Sequence, residues 1–125
     1  MDFWNILYVK DIKFTFFPLF FQALRLDHNQ LEDINGLLNT LDHLQWLNMS
    51  NNHLQWFDYA FIPKSLLWLN LANNEIEELQ NYYDMQTGFN LLTFDLSNNK
   101  LSHLDRKNLI HSLKKVINIF SLSHS

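Results

Sequence analysis

The chain has no cysteine, two glycines and two prolines among its 125 residues. Without cysteine there is no disulfide, no thiolate metal site and no thiol nucleophile, and the redox compartment cannot be read from cysteine usage. Gly36 and Gly88 stand alone, so no glycine-rich loop is available to cradle a phosphate. Basic charge is scarce as well: 9 Lys and Arg against 13 Asp and Glu give a net charge of −4. Apart from Arg106-Lys107 and Lys114-Lys115 there is no basic cluster, which excludes the simplest nucleic-acid reading. Long apolar runs are missing too. The longest, over residues 14–21, falls well short of the roughly 20 residues a membrane helix needs. Residues 1–13 carry the balanced charges Asp2, Lys10, Asp11 and Lys13 with no small-x-small pair after them, a poor match to a signal peptide.

What is present is one pattern in four copies. They read Phe21-x-x-Leu24-x-Leu26-x-x-Asn29-x-Leu31, Leu44-x-x-Leu47-x-Met49-x-x-Asn52-x-Leu54, Leu66-x-x-Leu69-x-Leu71-x-x-Asn74-x-Ile76 and Leu91-x-x-Phe94-x-Leu96-x-x-Asn99-x-Leu101. The asparagines recur after 23, 22 and 25 residues, inside the window of about 20–29 for a leucine-rich repeat. Alternating apolar positions on an extended backbone point to one face, so each copy predicts a short strand with its aliphatic residues inward. The asparagine then sits where the chain turns away. Its amide both donates and accepts, and a stacked ladder of such amides satisfies backbone groups that burial would otherwise strand at a cost of about 1–3 kcal/mol each. Asn29, Asn52, Asn74 and Asn99 are therefore expected to be structural.

The fold class that follows is α/β, a right-handed leucine-rich-repeat solenoid with parallel strands on the concave face and irregular or short helical convex returns. Strands are expected over 23–27, 46–50, 68–72 and 93–97. Ile34, Leu37, Leu38 and Leu41 have helical spacing, which predicts a helical turn in the return 34–43. Residues 56–65, with Pro63, predict an irregular loop, 79–89 is the longest return, and 104–113 begins another helical turn. The repeats divide as about 21–43, 44–65, 66–90 and 91–112. Residues 1–20 form an atypical flank outside the repeat register. Residues 113–125 are an aborted fifth repeat and tail, in which a copy starting at Leu113 and Val116 meets Asn118 where an aliphatic residue is wanted.

Both departures admit a genetic explanation. Residues 14–22 can be encoded by a pyrimidine tract ending in CAG, like a splice acceptor, and Lys115-Val116-Ile117 by AAG-GTA-AT, like a splice donor; the flanks are then translated intron, and transcripts continuous through both junctions exclude it.

Three stretches carry a more specific signature: Leu24-Arg-Leu-Asp-His-Asn-Gln-Leu-Glu-Asp-Ile-Asn-Gly-Leu-Leu38, Leu47-Asn-Met-Ser-Asn-Asn-His-Leu-Gln-Trp-Phe-Asp-Tyr-Ala60 and Phe94-Asp-Leu-Ser-Asn-Asn-Lys-Leu101, with Ile62-Pro63 and Asn81-Tyr82-Tyr83 between them. About three-quarters of the chain resembles the ectodomain of the arthropod-type long Toll receptors, as a fragment. The resemblance implies a cell-surface receptor whose extracellular solenoid binds a protein ligand or co-receptor and signals through one membrane helix. It implies an extracellular position and a role in innate immunity or development. Neither the membrane helix nor the signalling domain of that family is found in these residues.

Two columns of residues between the leucines are expected on the concave face. Ala23, Trp46, Trp68 and Thr93 form one, and Arg25, Asn48, Asn70 and Asp95 the other. Paired tryptophans make a candidate protein-binding hot spot, weighed evenly against two rings that shield each other. Asn48-Met49-Ser50 is the one glycosylation sequon and lies on that face, where a glycan at Asn48 would crowd Trp46. His28, His43, His53, His103, His111 and His124 show neither an i, i+4 pair nor a cluster, so no metal is expected. No cofactor is expected. Ser50, Ser97 and Ser102 belong to the repeat itself and lack an oriented base, so the chain is read as non-enzymatic. Glu75, Glu77 and Glu78 form an acidic spot, read as a solvated edge in preference to a site for a basic partner.

The rival readings are an intracellular leucine-rich-repeat scaffold such as a phosphatase-regulatory protein, suggested by the 22–23-residue spacing and Ile34-x-Gly36-Leu37, and a truncated gene product without autonomous function. Because terminal repeats need polar caps, leucines at Leu24 and Leu101–Leu104, open to water unless the flanks cover them, predict a marginal, aggregation-prone monomer.

Overall fold

The computed structural model describes residues 3–5, 22–33, 38, 41–80, 90–102 and 118–120, with the backbone alone at 3–5 and 118–120. Their organising feature is a parallel sheet of three-residue strands: β1 (Phe3–Asn5), β2 (Ala23–Arg25), β3 (Trp46–Asn48), β5 (Trp68–Asn70), β7 (Thr93–Asp95) and β8 (Asn118–Phe120), adjacent in that order. Leu24, Leu47, Leu69 and Phe94 are in register and buried at the strand centres. Each such side chain contributes about 1.5–3 kcal/mol on leaving water. Alternation does the rest: the residues on either side turn to the opposite, concave face and are half-buried on β3, β5 and β7.

The regular strands are two residues shorter than the expected 23–27, 46–50, 68–72 and 93–97. Coil-to-coil hydrogen bonding nevertheless runs on past them. Leu26, Met49 and Leu71 donate to Asn48, Asn70 and Asp95 of the next coil, each at 2.8 Å, and His28, Asn51 and Asn73 donate to Ser50, Ala72 and Ser97 at 3.1, 3.0 and 2.9 Å. The chain then bends through four residues with φ of 57°, His28, Asn51, Asn73 and Asn98. That left-handed conformation costs an ordinary L-residue about 1–2 kcal/mol, and asparagine is among the few that visit it routinely. Hence the pair Asn-Asn recurs in three of the four turns, and His28 departs from it.

Behind the sheet the returns differ from expectation. Residues 56–65 are not an irregular loop throughout. They open with β4 (Trp56–Asp58), which pairs in parallel with β6 (Glu78–Gln80) to form a second, two-stranded sheet on the convex side. A 3-10 turn, Tyr59–Phe61, follows, capped by Asp58, whose Oδ1 accepts from the Ala60 N–H at 2.8 Å. The first return closes by tight turns, Leu41 N–H to Leu38 O and Leu44 N–H to Leu41 O at 3.1 and 3.0 Å. Ile34 and Leu37, on which the expected helical turn also rests, lie outside the described residues, as do Phe21, the returns 81–89 and 104–113 and the Asn81-Tyr82-Tyr83 element. Tyr59 joins the two sides of the core. It is fully buried, edge-on to Phe57 at 4.8 Å and to Phe94 of the main sheet at 6.0 Å, and burial pushes its hydroxyl pKa well above the ordinary value.

The main sheet extends beyond the four copies at both ends. Phe3, Trp4 and Asn5 pair with Ala23, Leu24 and Arg25, and Asn118, Ile119 and Phe120 with Thr93, Phe94 and Asp95. Ile119, not Val116, thus takes the strand-centre position. Asn118 pairs level with Thr93.

Candidate functional site

The concave columns are held from behind by the asparagines. Asn52 Nδ2 donates to Leu26 O of the preceding coil and to Met49 O of its own, both at 3.0 Å, while its Oδ1 accepts from the Leu31 N–H at 3.1 Å. Asn74 repeats this one coil on, with Met49 O and Leu71 O at 3.0 Å and the Leu54 N–H at 3.1 Å. Asn99 does so again, with Leu71 O at 2.9 Å, Leu96 O at 3.2 Å and the Ile76 N–H at 3.0 Å. Asn29 donates to Leu26 O at 2.9 Å. All four are buried. Asn52, Asn74 and Asn99 therefore each bind two successive coils, which locks strand against strand and sets the spacing of whatever the opposite face displays.

On that face the register brings Ala23, Trp46, Trp68 and Thr93 into one row and Arg25, Asn48, Asn70 and Asp95 into the next. Trp46 and Trp68 stack with ring centroids 4.4 Å apart and planes 8° from parallel. Such a pair contributes about 0.5–1.5 kcal/mol beyond its buried area. Both rings stay half-exposed. Ala23 does not belong to the accessible face: it is fully buried, unlike Trp46, Trp68 and Thr93.

The second row is fixed at its base. Asn48 Oδ1 accepts from the Ser50 N–H and Oγ–H at 3.0 and 2.7 Å, and Asp95 Oδ1 from the same groups of Ser97 at 3.0 and 2.7 Å. Asn70 Oδ1 accepts from the Ala72 N–H at 2.9 Å. Short oxygen-bearing side chains at this position take up an amide two residues on, so the same bond recurs on three coils. Their remaining polar atoms are held in place along the face.

Arg25 behaves differently. Its Nε and a terminal nitrogen donate to the two carboxylate oxygens of Asp27 at 2.9 and 2.8 Å, and His28 Nδ1 lies 2.9 Å from the same carboxylate. The Arg25 hydrogen bonds hold the Asp27 carboxyl at about 2, against an ordinary value of 3.8, with burial opposing and His28 assisting. This pair is missed by a reading centred on leucines, although opposite charges two apart on a strand share one face. The sign of its pH dependence follows from the depressed pKa. Its contribution to stability is complete above about pH 4 and is lost as pH falls through about 2. Urea titrations across that window should show stability declining with acid, and Arg25→Met should flatten the decline.

Among the described residues no three His, Asp or Glu side chains could hold a metal ion, and no helix is long and apolar enough to cross a membrane.

A family profile described as Leucine Rich Repeat matches residues 43–64, the second coil, which contains Trp46, Asn48 and Asn52. The chain is also similar to Toll-like receptor 7 of Drosophila melanogaster, 47% identical over 78 residues, or 62% of this chain. It spans 5% of that relative's length.

Proposed function

We propose that this chain, a leucine-rich-repeat segment related to Toll-like receptors, is a non-enzymatic recognition segment whose concave face binds a protein ligand or a co-receptor on the extracellular side of the cell. The observation carrying the reading is the stacked, half-exposed Trp46–Trp68 pair at the middle of the face, flanked by Asn48, Asn70, Thr93 and Asp95. Buried-aromatic anchors dominate binding energy at protein interfaces. A backbone stapled coil to coil by amides presents them pre-organised, which lowers the entropic cost of association.

The binding reading is tested with a photo-crosslinking residue at Asn70 on the concave row and, as control, at the exposed Lys64 on the return. With the soluble ectodomain of the Drosophila relative as the probe for a co-receptor, adduct should form from position 70 and not from 64, and Trp46→Ala with Trp68→Ala should lower its yield at least about tenfold. Adduct of equal yield from both positions defeats it.

The extracellular reading is tested separately. Expressed in insect cells from its own transcript, with no secretion signal added, the protein should carry a glycan at Asn48, seen as a mass shift removed by glycosidase and abolished by Asn48→Gln. An intracellular scaffold would carry none, and lack of the mass shift favours that alternative. A glycan so close to Trp46 would also reduce the adduct from position 70.

A further inference from the structure

The stack is asymmetric. Trp46 covers one face of Trp68, so the other face of Trp68 looks along the sheet towards β7, where the level position is Thr93. A threonine is too short to rise beside an indole, and neighbouring strands are about 4.8 Å apart. The row therefore steps down after Trp68, leaving a slot with the indole face as its wall and Thr93 as its floor. Among the described residues the Trp68 ring has no stacking partner other than Trp46.

Beside the slot stands Asp95, two residues from Thr93 on the same face, about 6.6 Å along the strand. Its Oδ1 is held by the Ser97 amide and hydroxyl, so the carboxylate is aimed rather than free to rotate, and Oδ2 is left for another donor. Within the two rows the only other charge is Arg25, already engaged by Asp27. Among the described residues no cation lies within ion-pair distance of Asp95, and the chain as a whole carries −4.

We infer that this slot receives an arginine side chain of the partner, its guanidinium laid flat on the open face of Trp68 and donating to Asp95. A planar cation satisfies the aromatic wall and the fixed carboxylate together, whereas an ammonium can meet the carboxylate but has no flat face for the ring. The inference rests on the concave face being the recognition surface and adds what it recognises: a basic, arginine-bearing protein segment.

The test uses the full chain, isotopically labelled, titrated with N-acetyl-arginine amide while the indole N–H resonances are followed by nuclear magnetic resonance. N-acetyl-citrulline amide is the uncharged control of nearly equal shape, and N-acetyl-lysine amide the non-planar charged one. The Trp68 resonance should shift saturably with arginine while Trp56, on the convex side, stays still, and citrulline and lysine should bind at least about fivefold more weakly. Asp95→Asn should weaken arginine about three- to tenfold; asparagine keeps the Oδ1 acceptor for Ser97, as Asn48 does natively for Ser50, so the fold is spared. Thr93→Phe should fill the slot and remove the shift. An unmoved Trp68 resonance, equal binding of citrulline, or undiminished binding by Asp95→Asn overturns the inference. If arginine fails here while adduct still forms specifically from position 70, the recognition face stands and its proposed arginine specificity falls. Arginine binding without any specific adduct from position 70 supports the slot and counts against the wider reading.

Discussion

Asn74→Ala is expected to lower the free energy of unfolding by about 3–6 kcal/mol, a large fraction of the roughly 5–15 kcal/mol that holds a domain folded. The amide sits between two coils. Removing it leaves the Leu54 N–H without the acceptor held at 3.1 Å and takes a donor from both Met49 O and Leu71 O at 3.0 Å. Three buried backbone groups lose a partner at once, and alanine supplies none. Met49 O is also served by Asn52 at 3.0 Å and Leu71 O by Asn99 at 2.9 Å, so two of the three losses are partial and the upper end of the range is not exceeded. Asn74→Asp separates the components: it keeps an acceptor for Leu54 and abolishes both donations while adding a buried charge, so it should be at least as damaging as alanine. Urea denaturation followed by tryptophan fluorescence measures both. A loss under 1 kcal/mol for Asn74→Ala would mean that water replaces the amide and that the ladder does not hold the coils together.

Phe57→Ala is the second large effect, expected at about 3–5 kcal/mol. Phe57 is wholly buried at the centre of β4 and packs edge-on against Tyr59, which in turn meets Phe94. The cavity would open where the convex sheet joins the concave one, between elements tied by parallel pairing on both sides and so poorly able to collapse. Trp56→Ala provides the contrast. Trp56 is half-buried and touches Phe61 edge-on at 5.7 Å, so less packing is lost. The order Phe57→Ala more damaging than Trp56→Ala, read from denaturation midpoints, checks the assignment of which side chain faces inward. The reverse order would place Trp56 in the core.

These effects show how unevenly the structure is written in the chain. The register of the concave face was legible: a fixed offset between asparagines places Trp46 beside Trp68 and Asn48 beside Asn70, since residues at equal distance from a stacked turn are level with one another. The stack itself followed from that neighbourhood. The convex sheet was not legible, because Glu78-Leu79-Gln80 is a weak strand former and pairs only because stacking sets it one coil from Trp56-Phe57-Asp58. Strand geometry there is imposed by the neighbouring coil rather than preferred by the residues. The left-handed turn residues were visible in principle in the doubled asparagines at 51–52, 73–74 and 98–99, with His28 as the exception that hides the rule. The end strands escaped notice for a related reason. Phe3–Asn5 and Asn118–Phe120 carry no asparagine at ladder distance, and backbone pairing to an existing sheet edge asks little of side-chain identity.

The repeat period, the inward aliphatic positions and the two rows of outward residues were determined by the sequence alone, because each follows from local periodicity multiplied by a constant offset. Tertiary structure alone decided the burial of Ala23, the pairing of β4 with β6 and the edge-on contact of Tyr59 with Phe94. Those depend on what lies across from a residue after the coils have stacked, and a distance between neighbouring coils is set by the packing of the whole array, not by the spacing of residues along one strand.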